Sequence, residues 1–190
     1  MKKITLPIGD EEIRGLTAGE VVSLSGVIYS ARDAAHKRLA AAIAGGEELP
    51  FDIRGQGIYY LGPTPAKPGQ VIGSAGPTSS YRMDPYTPML LEKGLKVMVG
   101  KGKRSDAVAE AIRKNTAVYF AAIGGSAALL SKCILSSELV AYEDLGTEAI
   151  RRLTVKDMPV IVAMDCYGND QYRIGVENYL KALDQQQGGR

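Results

Sequence analysis

The spacing of hydrophobic positions changes along this chain. Up to about residue 74, short apolar runs are separated by glycine and proline, which predicts strands and turns around one helix at residues 31–44. After that point, apolar runs of strand length alternate with segments of helical composition. A β-rich first half followed by strand–helix alternation is typical of an α/β domain. The pattern therefore predicts an α/β layered fold with mixed sheets.

The individual elements follow from the apolar runs and from the residues that end them. Strands are predicted at residues 3–7, 21–30 (with a bulge or bend at Gly26), 58–61, 71–73, 96–99, 117–123, 139–142 and 160–164. Helices are predicted at residues 31–44, 87–93, 105–114, 127–133 and 170–183. The last strand is apolar on both faces, which indicates a central position in a sheet. We expect one domain over residues 1–184 and a polar tail at residues 185–190.

Three helix starts carry capping signals. Ser30 and Asp33 have the spacing of an N-cap and its third helical residue, so Ser30 is predicted to cap the helix that follows it. Thr87 and Ser105 each precede a helical segment and are predicted N-caps as well. These signals fix where the predicted helices begin after the strands.

The composition is that of an ordinary globular domain. The 190 residues are 45% hydrophobic and 23% charged. A formal net charge of +2, and the lack of aromatic residues around the basic run 101–104, give no expectation of nucleic-acid binding. The first residues contain no apolar signal-peptide core, and no run approaches the roughly 20 apolar residues of a membrane span. We expect a cytoplasmic protein without membrane contact.

The two cysteines, Cys133 and Cys166, do not form a metal-binding motif. They lie far apart in the sequence, without CxxC or Cys–His spacing. Free cysteines of this kind are usually reduced and partly buried. The sequence predicts neither a disulfide nor a metal site on this chain.

Two glycine-marked polar loops, at residues 76–84 and 100–105, carry most of the chemistry that the sequence offers. Each follows an apolar, strand-like run and combines hydroxyls, a cation and backbone N–H groups, which suit a small anion and proton movement beside it. The second loop lacks the glycine spacing of a Walker motif, which argues against a nucleotide. For this loop alone, a turn with solvated lysines is the alternative interpretation.

Three cations lie just beyond predicted strand ends: Arg32, Arg82 and Lys101. Loops at strand ends often gather on one edge of a layered α/β fold, where ligands bind. Three positive charges suit a small ligand with two carboxylates, since arginine binds a carboxylate bidentately. Thr78 lies four residues before Arg82 and shares its face if that segment is helical. His36, the only histidine, lies four residues after Arg32 on the predicted helix and is either a packed residue or part of the same site.

Four ordered motifs make the chain resemble a known enzyme family. They are Leu24-Ser25-Gly26 followed by Ala31-Arg32-Asp33-Ala34-Ala35-His36, then Gly76-Pro77-Thr78-Ser79-Ser80-Tyr81-Arg82-Met83-Asp84, Gly100-Lys101-Gly102-Lys103-Arg104-Ser105, and Asp165-Cys166-Tyr167-Gly168-Asn169. The chain thereby resembles the β subunit of two-subunit class I fumarate hydratases, which is equivalent to the C-terminal domain of the single-chain enzymes. The β subunit of L(+)-tartrate dehydratase is closely related. The resemblance covers nearly the whole chain.

The resemblance implies a swivelling β/β/α domain that closes over the substrate and works in a hetero-oligomer. In that family the partner α subunit carries three cysteines that hold a [4Fe–4S] cluster, so this chain is expected to bind no cofactor itself. By motif match, Arg32, Arg82 and Lys101 would bind the carboxylates of a C4 dicarboxylate, malate or fumarate. Thr78 would be the base at the C3 carbon, with an Asp of the partner as the acid. His36 would lie near the substrate or order the helix of Arg32.

Substrate choice is predicted from the second loop. Residues Gly102-Lys103-Arg104-Ser105 resemble the fumarate hydratase version of the motif more than the tartrate dehydratase version. Fumarate and (S)-malate are therefore the predicted substrates of this hydro-lyase, and a tartrate dehydratase β subunit is the nearest alternative. A non-catalytic assembly domain that binds a dicarboxylate or phosphate in the same cationic site is the alternative from another class of function.

Overall fold

The computed structural model describes residues 1–123 and 125–187. In these residues the strands are β1 Lys2–Leu6, β2 Val21–Ser30, β3 Gly57–Tyr59, β4 Val97–Gly100, β5 Val118–Ala121, β6 Ile134–Ala141 and β7 Ile150–Met164. The α-helices are α1 Asp10–Arg14, α2 Asp33–Gly45, α3 Thr87–Glu92, α4 Asp106–Lys114, α5 Ala127–Lys132 and α6 Gln171–Gln187. Two 3₁₀ turns span Ser80–Met83 and Glu143–Glu148.

The strands form one mixed sheet that closes on itself. The strand order is β1-β2-β3-β4-β5-β7-β6, and β2 also pairs with β7. Strands β2, β3, β4 and β5 run parallel, whereas the long β7 is antiparallel to both β2 and β5. β7 thereby closes β2–β5 into a five-stranded barrel, with β1 paired to β2 and β6 paired to β7. The predicted α/β fold with a mixed sheet is confirmed.

Alternating side chains of the strands divide the core into two clusters. Val97 and Val99 of β4 pack in one cluster with Leu24 and Ile28 of β2, while Met98 packs in the other. The second cluster also contains the buried faces of α2, α3 and α4. Successive strand residues point to opposite faces, so both faces of the parallel strands are buried. This burial specifies the register of the strands and hence the positions of the residues that follow them.

The last two strands are longer than the sequence predicts. β7 spans Ile150–Met164, although only residues 160–164 were apolar enough to predict, and β6 begins at Ile134 rather than residue 139. The additional parts pair with each other through polar side chains. Ser136 donates a hydrogen bond of 2.8 Å to the Thr154 hydroxyl, and Arg152 lies 3.6 Å from the Glu138 carboxylate. Polar cross-strand pairs do not show in a search for apolar runs.

The strand predicted at residues 71–73 is wrong. This segment belongs to a loop that Thr64 holds, because the Ser74 N–H donates to Thr64 Oγ1 over 2.8 Å and the Thr64 N–H donates to the Ser74 carbonyl over 3.3 Å. A β-carbon on Gly73 would collide with the Thr64 backbone. Helix α1 was missed, since five residues are too few to show a helical period.

Two of the three predicted helix caps differ from the structure. Ser105 caps α4 as predicted, with its hydroxyl accepting the Val108 N–H over 3.4 Å. Thr87 is the first residue of α3 rather than its cap, which is Tyr86. The change is a shift of one position, so the helix begins where the sequence indicates.

The predicted Ser30 cap of α2 is wrong. Ser30 remains in β2, where its hydroxyl accepts the N–H of Arg151 from β7 over 3.2 Å. The N-cap is Arg32 in an extended conformation, without a side-chain cap of its own. Arg32 therefore precedes α2, whereas the sequence predicted that it lies on the same helix as His36.

The C-terminal helix is longer than expected. α6 continues to Gln187, whereas the sequence predicted a helix to residue 183 and a tail from residue 185. Residues 188–190 of the predicted tail lie outside the described residues, and the domain boundary at residue 184 stays a prediction. None of the helices within residues 1–123 and 125–187 combines the length and apolar character that a membrane crossing requires.

Candidate functional site

Three of the predicted site residues lie at the carboxyl ends of three neighbouring parallel strands. Arg32 comes two residues after β2, and Lys101 directly follows β4. Between them, the Thr78 N–H donates to the carbonyl of Tyr60, the residue after β3, over 2.7 Å. Adjacent parallel strands end at the same edge, so these residues share one rim of the barrel. The structure brings Arg32, Thr78 and Lys101 to this rim.

The two polar loops are joined by a chain of hydrogen bonds through Ser80. The Lys101 N–H donates to Ser80 Oγ over 3.1 Å, and the Tyr119 hydroxyl donates to the Gly102 carbonyl over 2.8 Å. Burial raises the pKa of Tyr119, so the phenol keeps its proton. Ser80 Oγ, 2.9 Å from the Tyr119 oxygen, is then the donor to it. With the Ser80 N–H donating to the Lys101 carbonyl over 2.9 Å, the loops form one unit.

Gly100 allows the loops to approach this closely. A β-carbon at this position would collide with Ser80 Oγ and would lie 2.8 Å from Tyr60 Cδ2 and 3.3 Å from the Thr78 carbonyl oxygen. The backbone of β4 therefore packs directly against the first loop. Any larger residue here has to move the segment that carries Thr78.

Arg104 connects the same loops from the interior. Its side chain is fully buried, and its Nε donates to Asp84 Oδ1 over 2.6 Å. The guanidinium lies 5.3 Å and 5.0 Å from the ring centres of Tyr60 and Tyr119, within cation–π distance. The basic run that contains Arg104 is therefore not a single exposed patch, because this arginine belongs to the core.

Arg32 lies between a carboxylate and a glycine. Its Nη2 donates to Glu148 Oε1 over 2.6 Å, and Glu148 Oε2 accepts the Ala34 N–H over 2.9 Å. A β-carbon on Gly62 would collide with the guanidinium, so the arginine packs directly on the Gly62 backbone. The Arg32 side chain is only 24% exposed, which limits the directions from which a ligand reaches it.

Arg82 is oriented by Asp33. Its Nε donates to Asp33 Oδ1 over 2.8 Å, and its two terminal nitrogens have no hydrogen-bond partner within the described residues. That pair of nitrogens is a fork suited to a carboxylate. The shared helical face considered for Thr78 and Arg82 is absent, because the 3₁₀ turn begins only at Ser80.

His36 is buried behind the start of α2. Its Nδ1 donates to the Arg32 carbonyl over 2.8 Å, and its ring packs edge-on against Tyr60 at 5.3 Å between centres. Burial lowers the pKa of His36 from 6.5 to about 4, against the hydrogen bond to the Arg32 carbonyl, which raises it. The imidazole is neutral at pH 7. Full burial fits a role in ordering Arg32 better than a role in substrate contact.

Buried polar atoms without partners concentrate at this rim. Five such side-chain atoms occur in the described residues, and four belong to this cluster: Arg32 Nε, Asp33 Oδ2, His36 Nε2 and the Tyr60 hydroxyl. Leaving a buried polar group unpaired costs about 1–3 kcal/mol, and native proteins contain few of them. Their concentration in one place indicates a functional site.

Thr78 and Lys101 are half-buried at the rim. Within the described residues, neither the Thr78 hydroxyl nor the Lys101 ammonium has a hydrogen-bond or ion-pair partner. The ammonium is thus available to an anion. A threonine hydroxyl is a weak base on its own, and no side chain of the described residues within hydrogen-bond distance activates it.

The local charge is smaller than the sequence suggested. Arg32 pairs with Glu148, Arg82 with Asp33 and Arg104 with Asp84, which leaves the charge of Lys101 unpaired among the described residues of the cluster. The rim therefore offers a set of oriented hydrogen-bond donors with a modest net positive charge. Such a site selects a ligand by the geometry of its acceptors as well as by its charge.

The cysteines of the chain do not fit as ligands of an iron–sulfur cluster. Cys133 Sγ contacts the Asp157 carbonyl and Cys166 Sγ contacts the Ile13 carbonyl, both at 3.9 Å, and both thiols are free. Burial raises the pKa of both thiols, as do the neighbouring aspartates, which opposes the thiolate form that a metal needs. Residues 1–123 and 125–187 contain no group of three or more His, Cys, Asp or Glu side chains that could hold a metal.

The last of the four motifs, residues 165–169, is a structural turn on the other side of the barrel. Buried Asp165 accepts the N–H groups of Tyr167 and Asn169 over 3.0 Å each, and that of Ala18 over 3.1 Å. The end of β7 pairs with the amino ends of β5 and β2, so this turn lies at the rim opposite the candidate site. It contributes to the fold rather than to the site.

Several residues that hold the site in place were missed from the sequence. Glu148 lies 116 positions from Arg32 in a polar segment without a motif. Tyr60 and Tyr119 lie within apolar runs and read as core residues. The only available signal was a phenol hydroxyl in a strand that is otherwise buried, since such a group needs a partner.

Comparison with known proteins finds similarity over most of this chain. A family model described as Fumarase C-terminus matches residues 1–175. The chain is 42% identical over 154 residues to the anaerobic class I fumarate hydratase of Escherichia coli (strain K12), in an alignment that covers 80% of the chain and 28% of the relative. It is 36% identical over 184 residues to a putative class I fumarate hydratase of Geobacillus stearothermophilus, covering 94% of the chain and 35% of the relative.

A shorter relative has a different name. The chain is 36% identical over 168 residues to the putative L(+)-tartrate dehydratase subunit beta of Methanocaldococcus jannaschii, in an alignment that covers 85% of the chain and 86% of the relative. The chain thus spans 28% to 35% of the two fumarate hydratases but most of the tartrate dehydratase subunit.

Proposed function

The chain belongs to the Fumarase C-terminus family, whose curated relatives are hydro-lyases, and we propose that it binds the dicarboxylate substrate of a hydratase that interconverts fumarate and (S)-malate. The observation that carries this proposal is the meeting of Arg32, Arg82, Lys101 and Thr78 at one rim of the barrel. Two oriented guanidinium groups and an ammonium match the two carboxylates of a C4 dicarboxylate.

We assign the other half of the active site to a partner α subunit. The Escherichia coli relative is much longer than the aligned region, which is 28% of its length. By the resemblance to class I fumarate hydratases, the partner in this proposal carries three cysteines with a [4Fe–4S] cluster, and the cysteines of this chain do not fit as its ligands. The active form is then a cytoplasmic hetero-oligomer in which this chain is the β subunit.

Each cation has a distinct part in substrate binding. Arg82 binds one carboxylate through its two terminal nitrogens, because its Nε already donates to Asp33. Arg32 and Lys101 hold the second carboxylate from the ends of β2 and β4, the strands on either side of β3. Groups that are already in position lose little entropy on binding, which favours a tight and specific complex.

Thr78 is proposed to exchange the proton at the C3 carbon. Its N–H donates to the carbonyl that follows β3, at the rim that also carries the cations. In this proposal their charge stabilises an alkoxide on Thr78 and the negative charge that develops on the substrate as the proton leaves. In the dehydration direction the Thr78 alkoxide takes the C3 proton, and a carboxylic acid of the partner, an Asp in this proposal, protonates the departing hydroxyl, which leaves as water. We assign His36 to ordering Arg32 and not to proton transfer, because its ring is fully buried and its Nδ1 donates to the Arg32 carbonyl.

Tartrate dehydration is the second candidate. It is supported by the 36% identity over 168 residues with a relative named tartrate dehydratase subunit beta. The loop that suggested fumarate from the sequence owes part of its character to Arg104, which is buried, so its effect on substrate choice acts through loop position. Assays of the same assembly with fumarate, (S)-malate and L(+)-tartrate distinguish the two activities.

The test is production of this chain together with its cysteine-containing partner, without oxygen. We expect hydration of fumarate by the assembly and none by either chain alone. R82A should lower kcat/KM about a hundredfold or more, because a bidentate contact to a carboxylate is lost, whereas R54A, which removes an exposed arginine paired only with Asp52, should leave it unchanged. T78V should lower kcat with a smaller effect on KM.

The same experiments distinguish a catalytic from a non-catalytic role. Turnover by this chain alone in air would contradict the division of the site between two chains. An inactive assembly whose β chain binds malate or phosphate in calorimetry, with loss of binding in R82A, would favour the non-catalytic assembly domain instead. Equal kinetics for R82A and R54A would remove Arg82 from the site.

A further inference from the structure

We propose that Glu148 is a positioning residue that holds Arg32 ready for a substrate carboxylate. The inference rests on the proposed function, because it takes Arg32 to be a substrate-binding residue. Glu148 belongs to none of the sequence motifs and lies 116 positions after Arg32. Its contacts with the start of α2 suggest its role.

Both carboxylate oxygens of Glu148 are used at the start of α2. Oε1 accepts from Arg32 Nη2 over 2.6 Å, and Oε2 accepts from the Ala34 N–H over 2.9 Å. The first N–H groups of a helix have no partner within the helix, and the N-cap Arg32 supplies none with its side chain. Glu148 therefore fixes the backbone of the first turn and the side chain that precedes it at the same time.

The barrel places Glu148 beside Arg32. Ser30, the last residue of β2, pairs with Arg151 of the antiparallel β7. The segments beyond this pair still lie side by side. Arg32, two residues after Ser30, therefore contacts Glu148, three residues before Arg151. Since β7 closes the barrel, this contact depends on the register of the sheet and not on a mobile loop.

Burial and packing make the contact directional. The Arg32 and Glu148 side chains are 24% and 20% exposed, so the ion pair is screened less than a surface pair. The Gly62 backbone packs against the guanidinium and removes other rotamers. Arginine loses much rotamer entropy when it is ordered. Because the fold already orders Arg32, ligand binding does not include this entropy loss.

The kinetic test uses the assembly of this chain with its cluster-bearing partner. E148Q keeps the size of the side chain but removes its charge and one acceptor, whereas E143Q changes an exposed glutamate in the same 3₁₀ turn. We expect E148Q to raise KM for (S)-malate about three- to tenfold with kcat changed less than about twofold, and E143Q to change neither. Equal KM values for the two variants would overturn the inference.

A double-mutant cycle separates positioning from general support of the fold. In an R32A background, the E148Q change should alter KM less than about twofold, because its effect passes through the missing guanidinium. If Glu148 only supported α2, its effect on KM would be the same with and without Arg32, and the inference would be wrong.

A spectroscopic readout tests Glu148 independently of hydratase activity. In ¹H–¹⁵N spectra of the full 190-residue chain, restricted rotation of the Arg32 guanidinium should give separate, slowly exchanging Nη–H signals that collapse in E148Q and persist in E143Q. Collapse of the signals in E148Q, together with an assembly that neither hydrates fumarate nor dehydrates L(+)-tartrate, supports the positioning and refutes the proposed function. If the signals are unchanged in E148Q and the assembly is active, only the positioning is refuted.

Discussion

Arg82 and Asp33 join the first polar loop to the start of α2 through a hydrogen bond of 2.8 Å between Nε and Oδ1. Both side chains are partly exposed, at 43% and 31%. The contact uses the Nε of Arg82, and the Asp33 carboxylate thereby sets the direction of the two terminal nitrogens. Asp33 therefore selects an orientation for Arg82 while contributing little to the stability of the fold.

This relationship predicts the kinetics of D33A. An exposed ion pair is worth about 0.2–1 kcal/mol, so loss of Asp33 should raise KM for the dicarboxylate about two- to fivefold in the assembled hydratase, with little change in unfolding free energy. D106A is the matched control, because Asp106 also lies in the first turn of a helix but has only a 4.0 Å contact with Arg173. A KM for D33A equal to that of D106A would refute the orienting role.

Arg104 is predicted to matter for stability. R104M removes the buried partner of Asp84 and should lower the free energy of unfolding by about 3 kcal/mol, measured by urea denaturation. K103M changes the neighbouring exposed lysine and should have an effect below about 0.5 kcal/mol. The double variant D84N/R104M should lose less than the sum of the single losses, and full additivity would contradict the buried pair.

His36 predicts a pH dependence of stability. Its pKa is lowered from 6.5 to about 4 in the folded chain, so the unfolded chain binds more protons between those values. The stabilisation from the neutral imidazole is complete above pH 6.5 and is lost as the pH falls towards 4, by about 3 kcal/mol in total. Urea denaturation of the wild type and H36Q at pH 7 and pH 4.5 isolates this contribution from that of the carboxylates.

The single histidine allows a direct check of the same prediction. Its ring proton signals in NMR spectra should stay at their neutral positions down to pH 5. Titration of these signals near pH 6.5 in the folded chain would show that the imidazole is accessible, and the buried hydrogen bond to the Arg32 carbonyl would then be wrong.

Substitution of Gly100 should lower activity although no side chain of the candidate site is changed. G100A would push a methyl group against Ser80 and Tyr60 and displace the segment of Thr78. A displacement of about 1 Å at a reacting group costs about a hundredfold in rate, so kcat of the assembly should fall by about that factor. G175A is the control, since a β-carbon there meets no atom within 4 Å.

The placement of Arg32 and Lys101 at strand ends could be predicted because it depends on local signals. The ends of β2 and β4 were visible as apolar runs followed by polar residues, and parallel strands bring such ends to one rim. The cap at Ser105 followed from its side chain alone. These features depend on residues close in the sequence, where propensity and hydrogen bonding act directly.

The supports of the site could not be predicted because they depend on distant pairing. The contact between Arg32 and Glu148 requires the register of β2 against β7, and the first half of β7 is too polar to stand out as a strand. The Ser30 cap was wrong for the same reason, since the pairing of β2 with β7 keeps Ser30 in the strand. Tertiary pairing overrides a local capping signal in this case.

Because the barrel is closed, the chain can accept changes in its loops without changes in its strands. Its five strands are joined without a free edge between β2 and β7, so the strand ends keep their spacing when the loops beyond them are altered. Loop residues can therefore be substituted one at a time while the barrel strands keep their positions. This gives a physical reason why a chain that aligns with relatives named fumarate hydratase and tartrate dehydratase can vary in sequence at the rim while its strands are retained.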